Sequence, residues 1–276
     1  MIVIGDAGGT TTHWRIIHKD GSIQQAQTMG LNVMHQSIDD YIAAISSTIQ
    51  PFIIASKVYF YTAGFTNSSD QRKKLHLTLG QLFKSADIHI ENDLLAAARG
   101  LCGHQPGWIG ILGTGANVAY YDGKDVHRQV PPLGYLLGDE GSGAYIGKLL
   151  LTAYLRKELP KDIQQQLYSH SKMTEDQMLG ELYQSNSPKS FLASYAEFVK
   201  GLIKTEYIYQ LVYDSFSRHF EVFLTKKKDD LPVHYTGSVA FHFSDVLRQV
   251  AVDRGIALGH LAQNPIAGLA LYHQKQ

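Results

Sequence analysis

Apolar positions follow two periods along this chain, and the switch between them outlines its elements. Ile2-Val3-Ile4 and Trp14-Arg15-Ile16-Ile17 flank Gly8-Gly9, which predicts a strand, a tight turn and a returning strand. A turn at Asp20-Gly21 leads to a third strand over Ser22 to Thr28, and Gly30-Leu31-Asn32 breaks that pattern. Ile38, Tyr41, Ile42, Ile45 and Ile49 then share one face of a helix running from about Gln36 to Ile49. Lys57 to Tyr61 reads as a strand closed by the small turn Thr62-Ala63-Gly64. A helix over about Gln71 to Phe83, a strand at Ile88-His89-Ile90 and the helix-forming run Leu94 to Ala98 follow. This order predicts a mixed sheet flanked by helices.

The second half restates the opening. Trp108 to Leu112 is an apolar strand running into Gly113-Thr114-Gly115-Ala116-Asn117. A returning strand (Val118 to Tyr121), an Asp122-Gly123 turn and a strand over Val126 to Val130 come next. Two units of one grammar predict two related lobes, each presenting a phosphate-sized turn. Pro131 to Gly143 is too rich in glycine for regular structure, and it opens a helix over about Ala144 to Glu158. Lys161 to Leu224 is mostly helical by pattern, with breaks near Ser169-His170 and Ser185 to Pro188. Its aromatics (Tyr195, Phe198, Tyr207, Tyr209, Tyr213, Phe216, Phe220 and Phe223) read as core and packing surface. His234 to Val239 is a strand passing through Gly237 into a helix start, and Asn264 to Leu271 closes the chain as a helix with Pro in its first turn.

Composition narrows the function classes. The chain has 276 residues, 25 basic and 25 acidic, enough for one large or two medium domains and with no net charge to draw it to nucleic acid or a membrane. Lys226-Lys227-Lys228 is followed at once by Asp229-Asp230 and reads as a solvated loop. One cysteine, Cys102, rules out an internal disulfide framework or a cysteine metal site, and the 13 histidines lack ligand spacing. No apolar run has transmembrane length, and Asp6 with its glycines interrupts anything like a signal peptide. The expectation is a soluble, cytoplasmic protein.

The chemistry concentrates in Asp6-Ala7-Gly8-Gly9-Thr10-Thr11-Thr12. Paired glycines bring backbone N–H groups close to a ligand, and Thr10, Thr11 and Thr12 add hydroxyl donors for phosphate oxygens. Asp6 cannot bind phosphate itself, but Mg²⁺ between the two would use both. A Gly-Gly hairpin with an Asp-capped turn would also account for the pattern. Glu91-Asn92-Asp93 ends a strand and opens a helix, so these residues are either caps or, in the case of Asp93, a carboxylate aimed at the ligand crevice of an open sheet. Asp139 and Glu140 suit a helix N-terminus, yet the glycines around them (Gly134, Gly138, Gly141 and Gly143) also describe backbone packed on a polar ligand.

Asp6-x-Gly8-Gly9-Thr10-x-Thr12, Asn92-Asp93, Gly113-Thr114-Gly115-x-Asn117 and Gly138-Asp139-Glu140-Gly141-Ser142, with a looser Thr236-Gly237-Ser238-Val239, occur in an order that resembles the actin-like ATPase and sugar kinase superfamily. More narrowly they resemble its N-acetylglucosamine kinase and BadF/BadG-type group, over nearly the whole chain. The resemblance implies an α/β protein of two ribonuclease H-like lobes, each a mixed sheet flanked by helices, closing as a cleft over ATP-Mg²⁺ and a small substrate. The first lobe would comprise residues 1–96 and 263–276, the second residues 97–262. Asp6 would hold Mg²⁺, while Gly8, Gly9, Thr10, Thr11 and Thr12 face Gly113, Thr114 and Gly115 across the phosphates. Gly237 and Ser238 would line the adenosine pocket. Asp93 matches the family's catalytic aspartate, and Asn32, Gly64, Asn92, Asp93, Thr114, Asn117, Gly134, Asp139 and Ser142 would contact the sugar. The implied reaction is ATP-dependent phosphorylation of an amino sugar, by resemblance the 6-hydroxyl of N-acetylglucosamine. Homodimers are common in the group.

Many relatives carry Gly where this chain has Ala7 and Lys or Ser where it has Thr11, which leaves more charge neutralisation to Mg²⁺ and backbone N–H groups. A lone Cys102 cannot supply the two cysteines per subunit of an iron–sulfur activator ATPase, nor the zinc site of cysteine-bearing glucokinases. Two other readings stay open: a nucleotide-dependent switch with no small acceptor, and a catalytically inactive sugar-binding relative.

Overall fold

The computed structural model of the chain describes residues 1–9, 11–31, 37–63, 69–227 and 229–275. It divides into two compact units, one of Met1–Gln105, Gly123–Val126 and Asn264–Gln276, the other of Pro106–Asp122 and His127–Gln263.

The first unit contains β1 (Ile2–Ala7), β2 (Thr11–Ile17), β3 (Ile23–Met29), α1 (Ile38–Ile49), β4 (Lys57–Thr62), α2 (Ser69–Leu82), β5 (Asp87–Asn92) and α3 (Asp93–Cys102), together with the chain's last helix, α12 (Ile266–Gln274). Its sheet runs β3-β2-β1-β4-β5, antiparallel from β3 to β1 and parallel from β1 to β5. Alternation along the strands sorts side chains between two covered faces. Val3, Ala7, Trp14, Ile16, Val58 and Phe60 meet Tyr41, Ile45 and Ile49 of α1 and Leu75 and Leu79 of α2. On the other face Ile4, Tyr59 and Tyr61 meet Ala96 of α3 and Ile266, Leu269 and Ala270 of α12. With helices on both sides, β4 is buried after its first residue, so it reads as a continuous apolar run rather than an alternating one.

The second unit holds β6 (Gly107–Leu112), β7 (Ala116–Tyr121), β8 (Val126–His127, of which Val126 is grouped with the first unit), α4 (Gly134–Leu137), α5 (Gly143–Leu155), α6 (Lys161–Ser171), α7 (Glu175–Gln184), α8 (Pro188–Gly201), α9 (Glu206–Phe223), β9 (Val233–Thr236), α10 (Ser238–His242), α11 (Ser244–Asp253) and β10 (Leu258–Ala262). The sheet order β10-β9-β6-β7-β8 repeats that of the first unit, with β6 in the place of β1. The correspondence reaches single residues. Gly5, fourth in β1, leaves room for the rings of Trp14 and Phe60, and Gly110, fourth in β6, does the same for Tyr235. One core cluster fills this unit and takes in Tyr195, Phe198, Phe216, Phe220 and Phe223, with Tyr207, Tyr209 and Tyr213 packed half-buried against it.

The structure corrects several expectations. The strand expected over Val126 to Val130 covers only Val126–His127, and residues 128–130 lie outside it. The glycine-rich run does contain a helical turn, α4, whose Tyr135-Leu136-Leu137 has no glycine; the Gly138 N–H closes it on the Gly134 carbonyl at 2.8 Å. The break placed at Ser169-His170 falls instead at Lys172, which takes a left-handed φ of 53° and ends α6. The pattern also gave no sign of α11 or β10. Among the described residues, no helix is long and apolar enough to cross a membrane.

Candidate active site

In the first unit β1, β4 and β5 point the same way, so their C-terminal ends share the edge where open α/β sheets bind ligands. Register places His13, Asp6, Tyr61 and Glu91 side by side there, on the face covered by α3 and α12. The helix α3 starts directly after β5. Asn92 is its cap, accepting the Leu95 N–H at 2.8 Å, and Asp93, the first helical residue, accepts the Leu94 N–H at 2.9 Å. Capping thus accounts for Asn92, while Asp93 lies close enough to Asp6 for their charges to interact. Burial pushes the Asp6 carboxyl up to about 7, and the charge of Asp93 pushes it the same way. Burial and Arg15 hold the neighbouring His13 below its ordinary value, favouring the neutral ring.

Two like-charged carboxyls, one driven toward its protonated form, are what a divalent cation would relieve. Among the described residues no group of three or more His, Cys, Asp or Glu could hold a metal ion. Mg²⁺ takes one or two carboxylates and fills its shell with water and phosphate oxygens.

The adjoining turn exposes Gly8 and Gly9. It is closed by the Gly8 N–H on the Thr11 carbonyl at 2.9 Å and tied to the end of β3 by the Leu31 N–H on the Gly8 carbonyl at 3.0 Å. Thr12 departs from the expectation of a hydroxyl facing phosphate. It is fully buried on the opposite face from Asp6, and its Oγ1 bonds the Met29 carbonyl and the Tyr41 hydroxyl, each at 2.9 Å. The reason is pleat alternation, which turns Thr12 to the core and leaves half-buried Thr11 on the Asp6 side. Thr10, Asn32 and Gly64 lie outside the described residues.

In the second unit Gly113, Thr114 and Gly115 form the corresponding turn at the end of β6. The Gly113 N–H closes it on the Gly115 carbonyl at 3.0 Å. The first N–H groups of α5 dock onto it, Gly143 to the Gly113 carbonyl at 2.8 Å and Ala144 to the Thr114 carbonyl at 3.2 Å. Ser142 is buried as the cap of α5, accepting the Tyr145 N–H at 3.1 Å. Gly237 packs against the Leu112 carbonyl with φ +115°, a place where a side chain would strike backbone. Ser238, exposed, begins α10 beside it.

Asp139 is buried in a left-handed conformation, φ 60°, and pairs with Lys189 Nζ at 2.9 Å. Asn117 Oδ1 and Thr236 Oγ1 are buried without a hydrogen-bond partner. Both residues pair with Ile111 on the two sides of β6, so they share one sheet face. Orphaned polar atoms beside a glycine turn suit a polar ligand. Gly134, φ +71°, stands half-buried at the start of α4. Ile111 is the residue that corresponds to Asp6 in strand position, so the duplicated scaffold carries a carboxylate in one copy only.

Comparison with solved structures decides the family. The "Putative N-acetylglucosamine Kinase" of Porphyromonas gingivalis superimposes with a TM-score of 0.92 at 35% identity, over 100% of this chain and 99% of that one. This chain belongs to the N-acetylglucosamine kinase group of the actin-like ATPase and sugar kinase superfamily. The family fold extends to a "Putative N-acetylglucosamine Kinase" of Chromobacterium violaceum (TM-score 0.77, 20% identity, 98% of each chain). It extends also to a glucokinase of the ROK family from Streptomyces griseus, solved with glucose and AMPPNP (TM-score 0.57, 16% identity, 98% of this chain and 97% of that one). No protein-family profile and no curated protein sequence matches the chain.

For this sugar-kinase-family chain, sequence reasoning did not single out His13 or Lys189, and it named Glu91 only at a strand end, without its place beside Asp6. His13 and the place of Glu91 could have been found by extending the period of β2 and β5 to their ends. Lys189 had no local signal, since it reaches Asp139 from a helix 50 positions further along the chain.

Proposed function

We propose that this protein is an ATP-dependent sugar kinase that phosphorylates a hydroxyl, the 6-hydroxyl, of an amino sugar such as N-acetylglucosamine. The observation that carries the reading is the proximity of Asp6, near the C-terminal end of β1, to Asp93, directly after β5. Phosphoryl transfer asks a protein mainly for positioning and charge neutralisation, plus one group to accept the proton of the attacking hydroxyl. Asp6 would hold Mg²⁺, which when bound neutralises charge on the phosphates. Gly8, Gly9 and Thr11 are the first unit's candidate phosphate contacts; Gly113 to Gly115 are those of the second, where Gly237 and Ser238 would line the adenosine pocket.

Asp93 is the general base. The substrate oxygen bonds to the γ-phosphorus, the bond from that phosphorus to the departing ADP oxygen breaks, and the hydroxyl proton passes to the Asp93 carboxylate. The Leu94 N–H holds this carboxylate at one oxygen, which fixes its direction. Asn117, with its orphaned Oδ1, and Asp139 are the second unit's sugar partners.

The test is ADP release measured against a panel of N-acetylglucosamine, N-acetylmannosamine, N-acetylmuramic acid, glucosamine and plain hexoses. Sugar-stimulated release, greatest with N-acetylglucosamine, is expected. Slow hydrolysis indifferent to every sugar would replace this reading with a nucleotide switch, and sugar binding without ADP release would replace it with an inactive relative.

A further inference from the structure

The turn Gly113-Thr114-Gly115 has a cation placed against it that the reaction as drawn above does not use. Lys189 is the second residue of α8, and its Nζ lies 2.9 Å from Asp139 Oδ2. A Cβ built on Gly115 would overlap that same Nζ and would come within 2.9 Å of Asp139 Oδ2. The ammonium therefore rests directly over the last residue of the turn.

Part of the backbone's positive potential here is already spent. The Gly113 N–H is used within the turn, and the Gly143 and Ala144 N–H groups at the start of α5 are used to dock it. The Tyr145 N–H is used by Ser142. A helix N-terminus whose first donors are spent in this way offers an incoming anion little. The opening turn, Asp6 to Thr12, carries no basic residue either.

Lys189 keeps 38% of its side chain exposed while Asp139 is buried. Asp139 keeps a left-handed backbone angle, uncommon outside glycine although Asp tolerates it better than most residues, and such a conformation kept at a site points to use. The pair is electrostatic rather than geometrically saturated, since Asp139 Oδ2 makes no well-formed hydrogen bond. An ammonium has three donors and can keep a carboxylate while donating to a second oxygen.

We propose that Lys189 is a phosphate-contacting residue of the nucleotide site, anchored by Asp139 over Gly115 and donating to an outer phosphate oxygen of bound ATP. This rests on the nucleotide-binding half of the function proposed above.

The experiment is calorimetric titration of the full-length protein with ATP and, separately, with adenosine, at low and at physiological salt. Lys189→Met should weaken ATP about 10- to 100-fold, the loss expected of one charge-assisted hydrogen bond, and leave adenosine within about twofold. Lys189→Arg should recover most of the ATP affinity, and the salt dependence of ATP binding should be shallower in the Met variant. Should Lys189→Met fail to fold around an unpaired Asp139, the double variant Lys189→Met with Asp139→Asn removes the stranded charge and is titrated instead. An unchanged ratio of ATP to adenosine affinity in a folded variant overturns the assignment of Lys189 alone. A wild-type protein that binds neither ligand overturns the nucleotide reading beneath it.

Discussion

Replacing Asp93 by Asn separates the chemistry from the scaffold at one atom. The amide keeps an oxygen for the Leu94 N–H now held at 2.9 Å, and Asn92 continues to cap α3 through Leu95. What is lost is a negative charge beside a helix N-terminus, worth about 0.3–1 kcal/mol to the helix. Against that, the charge repelling Asp6 disappears, so the Asp6 carboxyl titrates lower than about 7 and is more fully ionised at neutral pH. The two effects oppose, and stability should change by less than about 1 kcal/mol. Turnover has no such compensation. Loss of a general base lowers it by about 10²–10⁴-fold, equivalent to about 2.7–5.4 kcal/mol in the barrier. Coupled ADP-release assays read the turnover, and titration with ATP and Mg²⁺ reads the site. Binding should be equal or tighter while the rate collapses. A folded Asp93→Asn protein that keeps turnover within tenfold of wild type would remove Asp93 from proton transfer, and weakened Mg²⁺-dependent binding would show that it is a metal ligand instead.

Further outcomes follow from packing and burial. In the first unit a Cβ on Gly268 of α12 would strike the Gly100 carbonyl of α3, so Gly268→Ala should destabilise by about 1–3 kcal/mol in urea unfolding. Gly180→Ala, inside α7 with nothing near its Cβ position, should stabilise by about 0.5–1 kcal/mol; equal effects from the two would deny the close helix crossing. Gly237→Ala combines a positive φ with contact against the Leu112 carbonyl and should cost at least about 1–3 kcal/mol, with ATP affinity falling in whatever folds; a neutral result by thermal melting would refute that geometry. His219 is buried between the Glu140 carbonyl and the Tyr235 hydroxyl, and burial holds its ring down at about 4. Between about 4 and its ordinary 6.5 the unfolded chain binds this proton and the folded chain does not. Stability should therefore fall as pH drops through that window, by up to about 3 kcal/mol. His219→Gln should flatten that part of the pH dependence in chemical denaturation series, and an unaltered slope would contradict the assignment.

How far the sequence could be read depended on whether a feature was local. The strand–turn–strand grammar at Asp6 and again at Gly113 was legible because apolar alternation and glycine turns are set by a few neighbouring residues. The same held for the capped helix after Asn92 and the five-spoke apolar face of α1. Element ends read less well. Lys172 terminates α6 with no glycine or proline to announce it, and β10 is weakly apolar and only half-buried at most positions.

Taken alone, the sequence determined the two repeated units, their turns and the residue types that bear the chemistry, because short-range sterics and periodicity fix those. Tertiary structure alone decided which residues meet. Asp6 reaches Asp93 only because β4 and β5 line up in parallel register beside β1. Thr12 was lost to the core because the phase of the pleat turned it toward Tyr41. Lys189 lies over Gly115 because α8 packs back onto α5. Such contacts join segments far apart along the chain, and nothing in the neighbouring residues encodes them.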